Sequence, residues 1–288
     1  MIPRGALLYG ESYNTIIKIL VLCEGVVQIR IRTLSVSFLL FFISISFVQA
    51  GSFKVFPLRL DLDQKTKTTL FKISNTGDQA VTIQLESALW FQDDSGEDQY
   101  KPTSDIVFFP KIVKVAKGEQ RIIRIGYRGA PANRTEKSYR IFAQELPERS
   151  EKSGNLSFAL RFSVPIFVHG KNNIAKPEIA DAKMKNGSLS VRMKNSGGEH
   201  LIVKSVSVRG KASSGQEIFN ESAGGWYVLP NSVRDFLVSL PEEPCGRAKK
   251  LDFSVQIADK FYSNTIPVNT AECVMLDTME NKRFSFEQ

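Results

Sequence analysis

The chain has 288 residues, 42% hydrophobic and 24% charged, which is ordinary globular material for one large domain or two smaller ones. Its net charge of +8 comes from basic residues spread along the chain, without a Lys/Arg run, so a solvated surface is expected and a nucleic-acid footprint is not. The only histidines are His169 and His200, and no Cys/His cluster has zinc spacing, so neither a metal site nor general acid–base catalysis is expected.

At the N-terminus, Arg30 and Arg32 precede an apolar run over 34–48, and Val48-Gln49-Ala50 closes it. This is the layout of a secretory signal peptide cut after Ala50. The run is shorter than the ~20 residues a membrane span needs. Residues 1–26, which include Cys23, fit neither the basic lead of a signal nor a domain, and the expected start lies near Val27. Export leaves Cys245 and Cys273, an even pair that reads as a disulfide.

From Gly51 the chain reads as successive strands. The first covers 53–62, and the second covers 66–74 before the turn cluster Asn75-Thr76-Gly77. Residues 80–91 alternate through Val81, Ile83 and Leu85. The acidic stretch 93–98 lacks the EF-hand pattern and reads as a solvated loop. A strand over 106–115 is interrupted by Pro110, which implies an edge, a bulge or a cis turn. Residues 120–128 place Ile123, Ile125 and Tyr127 on one face and Ile122 and Arg124 on the other. Strand 138–146 follows. Then comes a strand that opens on 155–164, where Leu156, Phe158, Leu160, Phe162 and Val164 alternate strictly with small or polar residues, and ends at His169-Gly170-Lys171-Asn172-Asn173. Five apolar side chains on one face need a cover, either a second sheet of the same molecule or another protein at a sheet edge.

Residues 170–176 form the best linker. Beyond it, 188–193, 201–208 and 236–240 alternate, 226–230 reads as a buried strand closing on a turn, and 251–257 and 263–268 finish the sheet. The expected fold is all-β, with two immunoglobulin-like antiparallel sandwiches over 51–170 and 175–288 after the upstream extension and signal of 1–50. Trp90 and Trp226 sit in apolar runs and read as core. His200, beside a Gly-Gly turn, reads as exposed, and His169 reads as structural. There is no GxSxG, HExxH, P-loop or CxxC, so no enzyme and no cofactor is expected.

Several short motifs then line up. They are Arg59 through Ile73-Ser74-Asn75, Phe109-Pro110, Gly118-Glu119-Gln120 with Arg124-Ile125, and Glu136 through Glu145-Leu146-Pro147. In order and spacing they resemble the first domain of the periplasmic pilus chaperones of the PapD-like family, over about residues 53–170. The second half is similar mainly in length and strand pattern. The resemblance implies a periplasmic chaperone that holds pilus or fimbrial subunits by strand addition, with no nucleic acid or small-molecule substrate. Leu156, Phe158, Leu160 and Phe162 would fill the subunit's open groove before delivery to an outer-membrane usher. An empty chaperone of this kind is expected to self-pair at its edge.

The family's anchoring arginine falls on Arg59, to grip the subunit's C-terminal carboxylate. A second anchoring lysine, common in the family, is replaced by Pro165. Tyr139-Arg140 and Val164-Pro165-Ile166-Phe167-Val168 look more like the archaic chaperone–usher branch, which makes Arg140 the candidate second cation; a plain Glu136–Arg140 surface arrangement is the alternative. Glu136 matches a domain-interface carboxylate whose partner, an arginine in many members, would be His169. Phe109-Pro110 matches a position that tends to be cis. The rival readings are a two-domain pilin or adhesin, which would need a donor extension after Ala50, and a secreted carbohydrate-binding protein, which would need exposed aromatics.

Overall fold

The computed structural model describes residues 53–146, 159–171 and 173–274. The expected signal peptide and upstream extension lie outside them, as do Leu156 and Phe158. No helix among the described residues is long and apolar enough to cross a membrane. The described chain is nearly all β-strand.

Two sheets enclose the first core. One orders β1 (Phe53–Phe56), β3 (Thr68–Asn75), β8 (Gln120–Tyr127) and β6 (Ile106–Phe109) as β1-β3-β8-β6. The other runs β2 (Leu60–Leu62), β10 (Arg161–Val168), β9 (Lys137–Leu146), β4 (Val81–Gln92) and β5 (Asp98–Pro102), with β7 (Ile112–Val115) also on β4. The alternation explains the packing: Phe71, Ile73, Ile83, Ile123, Ile125, Tyr139 and Ile141 all point between the sheets and are buried. Ile122 points the other way and is exposed, as the period of two requires.

Two expected strands divide at prolines. Residues 53–62 form β1, which pairs with β3 in one sheet, and β2, which pairs with β10 in the other. Pro57, after a cis bond from Phe56, lies in the gap. Proline has no N–H to give to a ladder, so the strand breaks there and the chain changes sheets. Pro110 does the same between β6, on β8, and β7, on β4, and the Phe109–Pro110 bond is cis. The short strand β5 carries no apolar period and had no signature in the sequence.

The second core lies between β11 (Pro177–Lys185), β12 (Ser188–Asn195) and β16 (Ser232–Ser239) on one side and a five-stranded sheet on the other. That sheet runs β14 (Glu217–Gly224), β13 (Leu201–Lys211), β17 (Lys250–Ile257) and β18 (Lys260–Pro267), with β15 (Tyr227–Val228) on the start of β13. Leu189, Val191, Val206, Val208, Leu251 and Val255 fill it. The edge strands β11 and β14 escaped the sequence reading because most of their side chains are exposed or half-buried. A short helix, α1 (Glu242–Arg247), and a 3-10 turn over Thr270–Cys273 bring two buried cysteines together in the Cys245–Cys273 disulfide.

A third, small cluster joins the two cores: Trp90 and Phe167 from the first, Leu229 and Tyr227 from the second. Gln92 clamps the junction, donating to the Tyr227 carbonyl at 2.9 Å and accepting from the Leu229 N–H at 2.9 Å. Trp226 is not core: it is 40% exposed, and its indole N–H donates to Asp98 at 2.7 Å. The stretch 226–230 keeps only a two-residue strand, so Trp226 falls at the rim of the junction.

Candidate functional site

The two ends of β10 have different surroundings. From Arg161 to Val168 the strand runs antiparallel to β9. On its other side β2 joins only at Ile166, Phe167 and Val168. Among the described residues, the flank of β10 from Arg161 to Pro165 that faces away from β9 therefore has no partner strand. The strand ends at Val168, just before the expected stop at His169-Gly170. Strict alternation stops because Val164 to Val168 are all buried: Val164, Ile166 and Val168 face the first core while Phe167 faces the small cluster at the junction. Leu160 and Phe162 are half-buried against the first core, and Phe162 meets Phe53 edge-on at 5.0 Å.

Past the closed end of β10, polar groups gather beside the Trp90–Phe167 cluster. Arg59, in the bend between β1 and β2, grips Asp61 with Nε at 3.0 Å and Nη2 at 2.8 Å, and lies 5.2 Å from the centre of the Phe167 ring. Its Nη1 is 3.3 Å from His200 Nε2. A guanidinium can only donate, so His200 accepts there and donates from Nδ1 to Glu136 Oε1 at 2.8 Å. His200 stacks flat on Phe167 at 3.8 Å. It is 7% exposed, which corrects the expectation of a solvated histidine: the Gly197-Gly198 turn carries it into the junction. A side chain at Gly198 would meet the Arg134 carbonyl at 2.3 Å, so only glycine allows this approach.

His169 follows β10 and points Nε2 at Asp61 Oδ1, 2.8 Å away, and Nδ1 at Glu136 Oε2, 3.1 Å away. The second contact is an ion pair that lacks hydrogen-bond geometry, and Oε2 is buried without a hydrogen-bond partner. The two carboxylates, Glu136 foremost, outweigh burial and raise the His169 pKa to about 9. Burial pushes the Glu136 pKa up, but the two histidines overcome it and hold the carboxyl below its ordinary range.

Arg140 sits on β9 opposite Pro165 and is 3% exposed. It does not form a surface arrangement with Glu136, whose partners are the two histidines. Its guanidinium lies 3.8 Å over the Trp90 ring. Nη1 reaches the Ser163 carbonyl at 3.4 Å, whereas Nε and Nη2 find no acceptor among the described residues. Burial lowers its pKa, and the charges of Tyr100 and Asp98 offset this only in part.

With this geometry in hand, residues 52–173 match the family model of the pili and flagellar-assembly chaperone, PapD N-terminal domain. That stretch is a PapD-type chaperone domain. It ends just past His169, so it contains β10, Arg59, Glu136 and Arg140. No curated protein matches the sequence. Among solved structures, the chain is similar to one in the complex of the CsuC chaperone with the CsuE tip adhesion subunit, from the archaic chaperone–usher Csu pili of Acinetobacter baumannii. There the identity is 24%, the TM-score is 0.53, and the alignment covers 75% of this chain and 98% of that one. It is also similar to a chain in the Salmonella enterica SafA pilin–SafB chaperone complex, with 14% identity, a TM-score of 0.49, and coverage of 76% and 98%. The first of these likenesses extends the two-sandwich fold past the chaperone domain.

The structure brings Arg59, Glu136 and His169 of the chaperone domain into one network and places Arg140 in the adjoining aromatic cluster. Leu160 and Phe162 lie apart from them, along the open end of β10. The sequence reading missed Asp61, Glu199, His200 and Tyr227. Asp61 was legible in part: it is an acid two residues from Arg59, near enough in the chain for a local ion pair.

Proposed function

We propose that this pilus-assembly chaperone holds its subunits by strand lending and by a carboxylate anchor, in the periplasm, and passes them to an outer-membrane usher. The open flank of β10 carries the reading. Arg161 to Pro165 keep one side free of any described strand, and this flank contains the last member of the alternating run Leu156, Phe158, Leu160 and Phe162. An unpaired edge offers backbone groups to an incoming strand, and alternate apolar side chains set its register. Each plug that becomes fully buried contributes about 1.5–3 kcal/mol before ordering costs. Leu160 and Phe162 are only half covered by their own core, so they retain apolar area for a guest.

Arg59 and Arg140 supply the anchor in this reading. Arg140 supports it best, because its Nε and Nη2 are desolvated without an acceptor, and a guest carboxylate would satisfy them. Arg59 would share its fork between Asp61 and the guest.

Co-expression with the neighbouring exported genes and pull-down from the periplasm tests this. Arg59→Ala is expected to abolish subunit recovery without unfolding the protein, and unchanged recovery rejects the anchor. Phe158→Asp and Leu160→Asp are expected to do the same, with Ala159→Asp much milder. Equal losses for Leu160→Asp and Ala159→Asp reject the assignment of the lent face.

A further inference from the structure

Three ligand-type side chains converge at the junction of the two cores. Glu136 Oε2, His169 Nδ1 and Glu199 Oε1 all lie within 4.8 Å of one another. His169 Nδ1 is 3.1 Å from the first oxygen and 4.0 Å from the second. Two ligands on one tetrahedral zinc, at bonds of about 2.0–2.1 Å, stand about 3.3 Å apart. The observed separations bracket that value. We propose that Glu136, His169 and Glu199 form a zinc site that ties the first sandwich to the second.

Four observations carry this. Glu136 is 4% exposed, and its Oε2 has no hydrogen-bond partner although it is aimed at the site. The cationic partner that such an oxygen requires is here only the His169 ion-pair contact, whose place a metal ion would take. Second, the outer partners that orient metal ligands are already in place. His169 turns its other nitrogen to Asp61 at 2.8 Å, the carboxylate–histidine pairing that fixes a ligating imidazole. Glu136 has its other oxygen held by His200 at 2.8 Å, which leaves Oε2 for the ion. Third, the backbone sets the span: the Glu136 N–H donates to the Gly198 carbonyl at 2.8 Å, so Glu199 is fixed close to Glu136 from the opposite sandwich. Fourth, the charge is right. Once the ion replaces the His169 proton, the carboxylates Asp61, Glu136 and Glu199 outnumber Arg59 by two.

The nitrogen ligand favours zinc over magnesium or calcium, which prefer oxygen shells. The ion takes the place of the proton on His169 Nδ1. Three protein ligands leave the fourth position open to water. The three residues are far apart in sequence, so no metal spacing announces the site.

The test is zinc titration of the full chaperone after stripping with EDTA, read by calorimetry and by the unfolding midpoint. Cobalt serves as the spectroscopic probe. The expected result is one zinc per chain, a higher midpoint with zinc, and visible cobalt absorption of a four-coordinate site. His169→Gln and Glu199→Gln should each weaken zinc at least tenfold and remove the cobalt bands. Glu199 is partly exposed, so its variant keeps the fold even if the histidine variant does not. Asp61→Asn should cost about 10–100-fold through His169 alone. No zinc binding overturns the proposal, as does zinc that binds Glu199→Gln as tightly as the parent protein.

Discussion

The two ends of β10 differ in how much of the molecule covers them. Its last three residues lie between β2 and β9 and are buried on both faces, with Phe167 holding the two cores together. Among the described residues its first five have a neighbour on one side only, and Arg161 and Ser163 are exposed between half-buried Leu160, Phe162 and buried Val164. The closed end is a structural joint, and the open end is the part that the proposed function assigns to a partner. The chain marks the change of role with Pro165, which cannot donate to a ladder, one residue before β2 joins.

That contrast can be broken at its strongest point. Phe167→Ala empties a fully buried ring position against Trp90 and His200 and should cost about 3–5 kcal/mol in urea unfolding. Phe162→Ala, on the open end, should cost about 1 kcal/mol, since its ring is half covered, yet should lower subunit recovery more than the stability loss explains. Equal stability losses would erase the distinction between the ends. Arg140→Met sharpens it from the side: an unpaired buried cation gives way to an apolar chain of similar length. Stability should stay level or rise by up to about 1–4 kcal/mol while subunit recovery falls. A loss of stability would mean that the guanidinium serves the fold through Trp90 and not a guest.

The smallest effect concerns pH. With EDTA present, His169 contributes through its proton, and its folded pKa of about 9 lies above the ordinary value of 6.5. A raised pKa stabilises the fold fully below the unfolded value, and that contribution is lost as pH rises through the folded one. The gap in unfolding midpoint between the parent and His169→Gln should therefore be widest near about pH 6 and shrink by about pH 10. A gap that widens with pH would show that the imidazole is held neutral.

Much of the first sandwich was legible because its strands are half-buried and alternate. In β8, Ile123, Ile125 and Tyr127 face the core and Ile122 does not, as a period of two demands. Pro110 announced a break, and Pro57 carried the same information at the first strand. The edge strands β5, β11 and β14 were not legible, since mostly exposed strands have no apolar period to read. The site was legible only in pieces. Arg59, Glu136, His169 and Arg140 came from the order of short motifs, whereas His200 looked solvated because a Gly-Gly turn usually lies at the surface.

Local chemistry alone determined the all-β character, the faces of the inner strands and the sites of the proline breaks. Each of these depends on a residue and its immediate neighbours: a pleat that alternates, or a ring without an N–H. Which charges meet was decided only by the packing of one sandwich on the other. Glu136, His169 and Glu199 converge because the turn at Gly198 approaches closely enough for its carbonyl to accept from Glu136, and no local rule encodes a contact between residues so far apart along the chain.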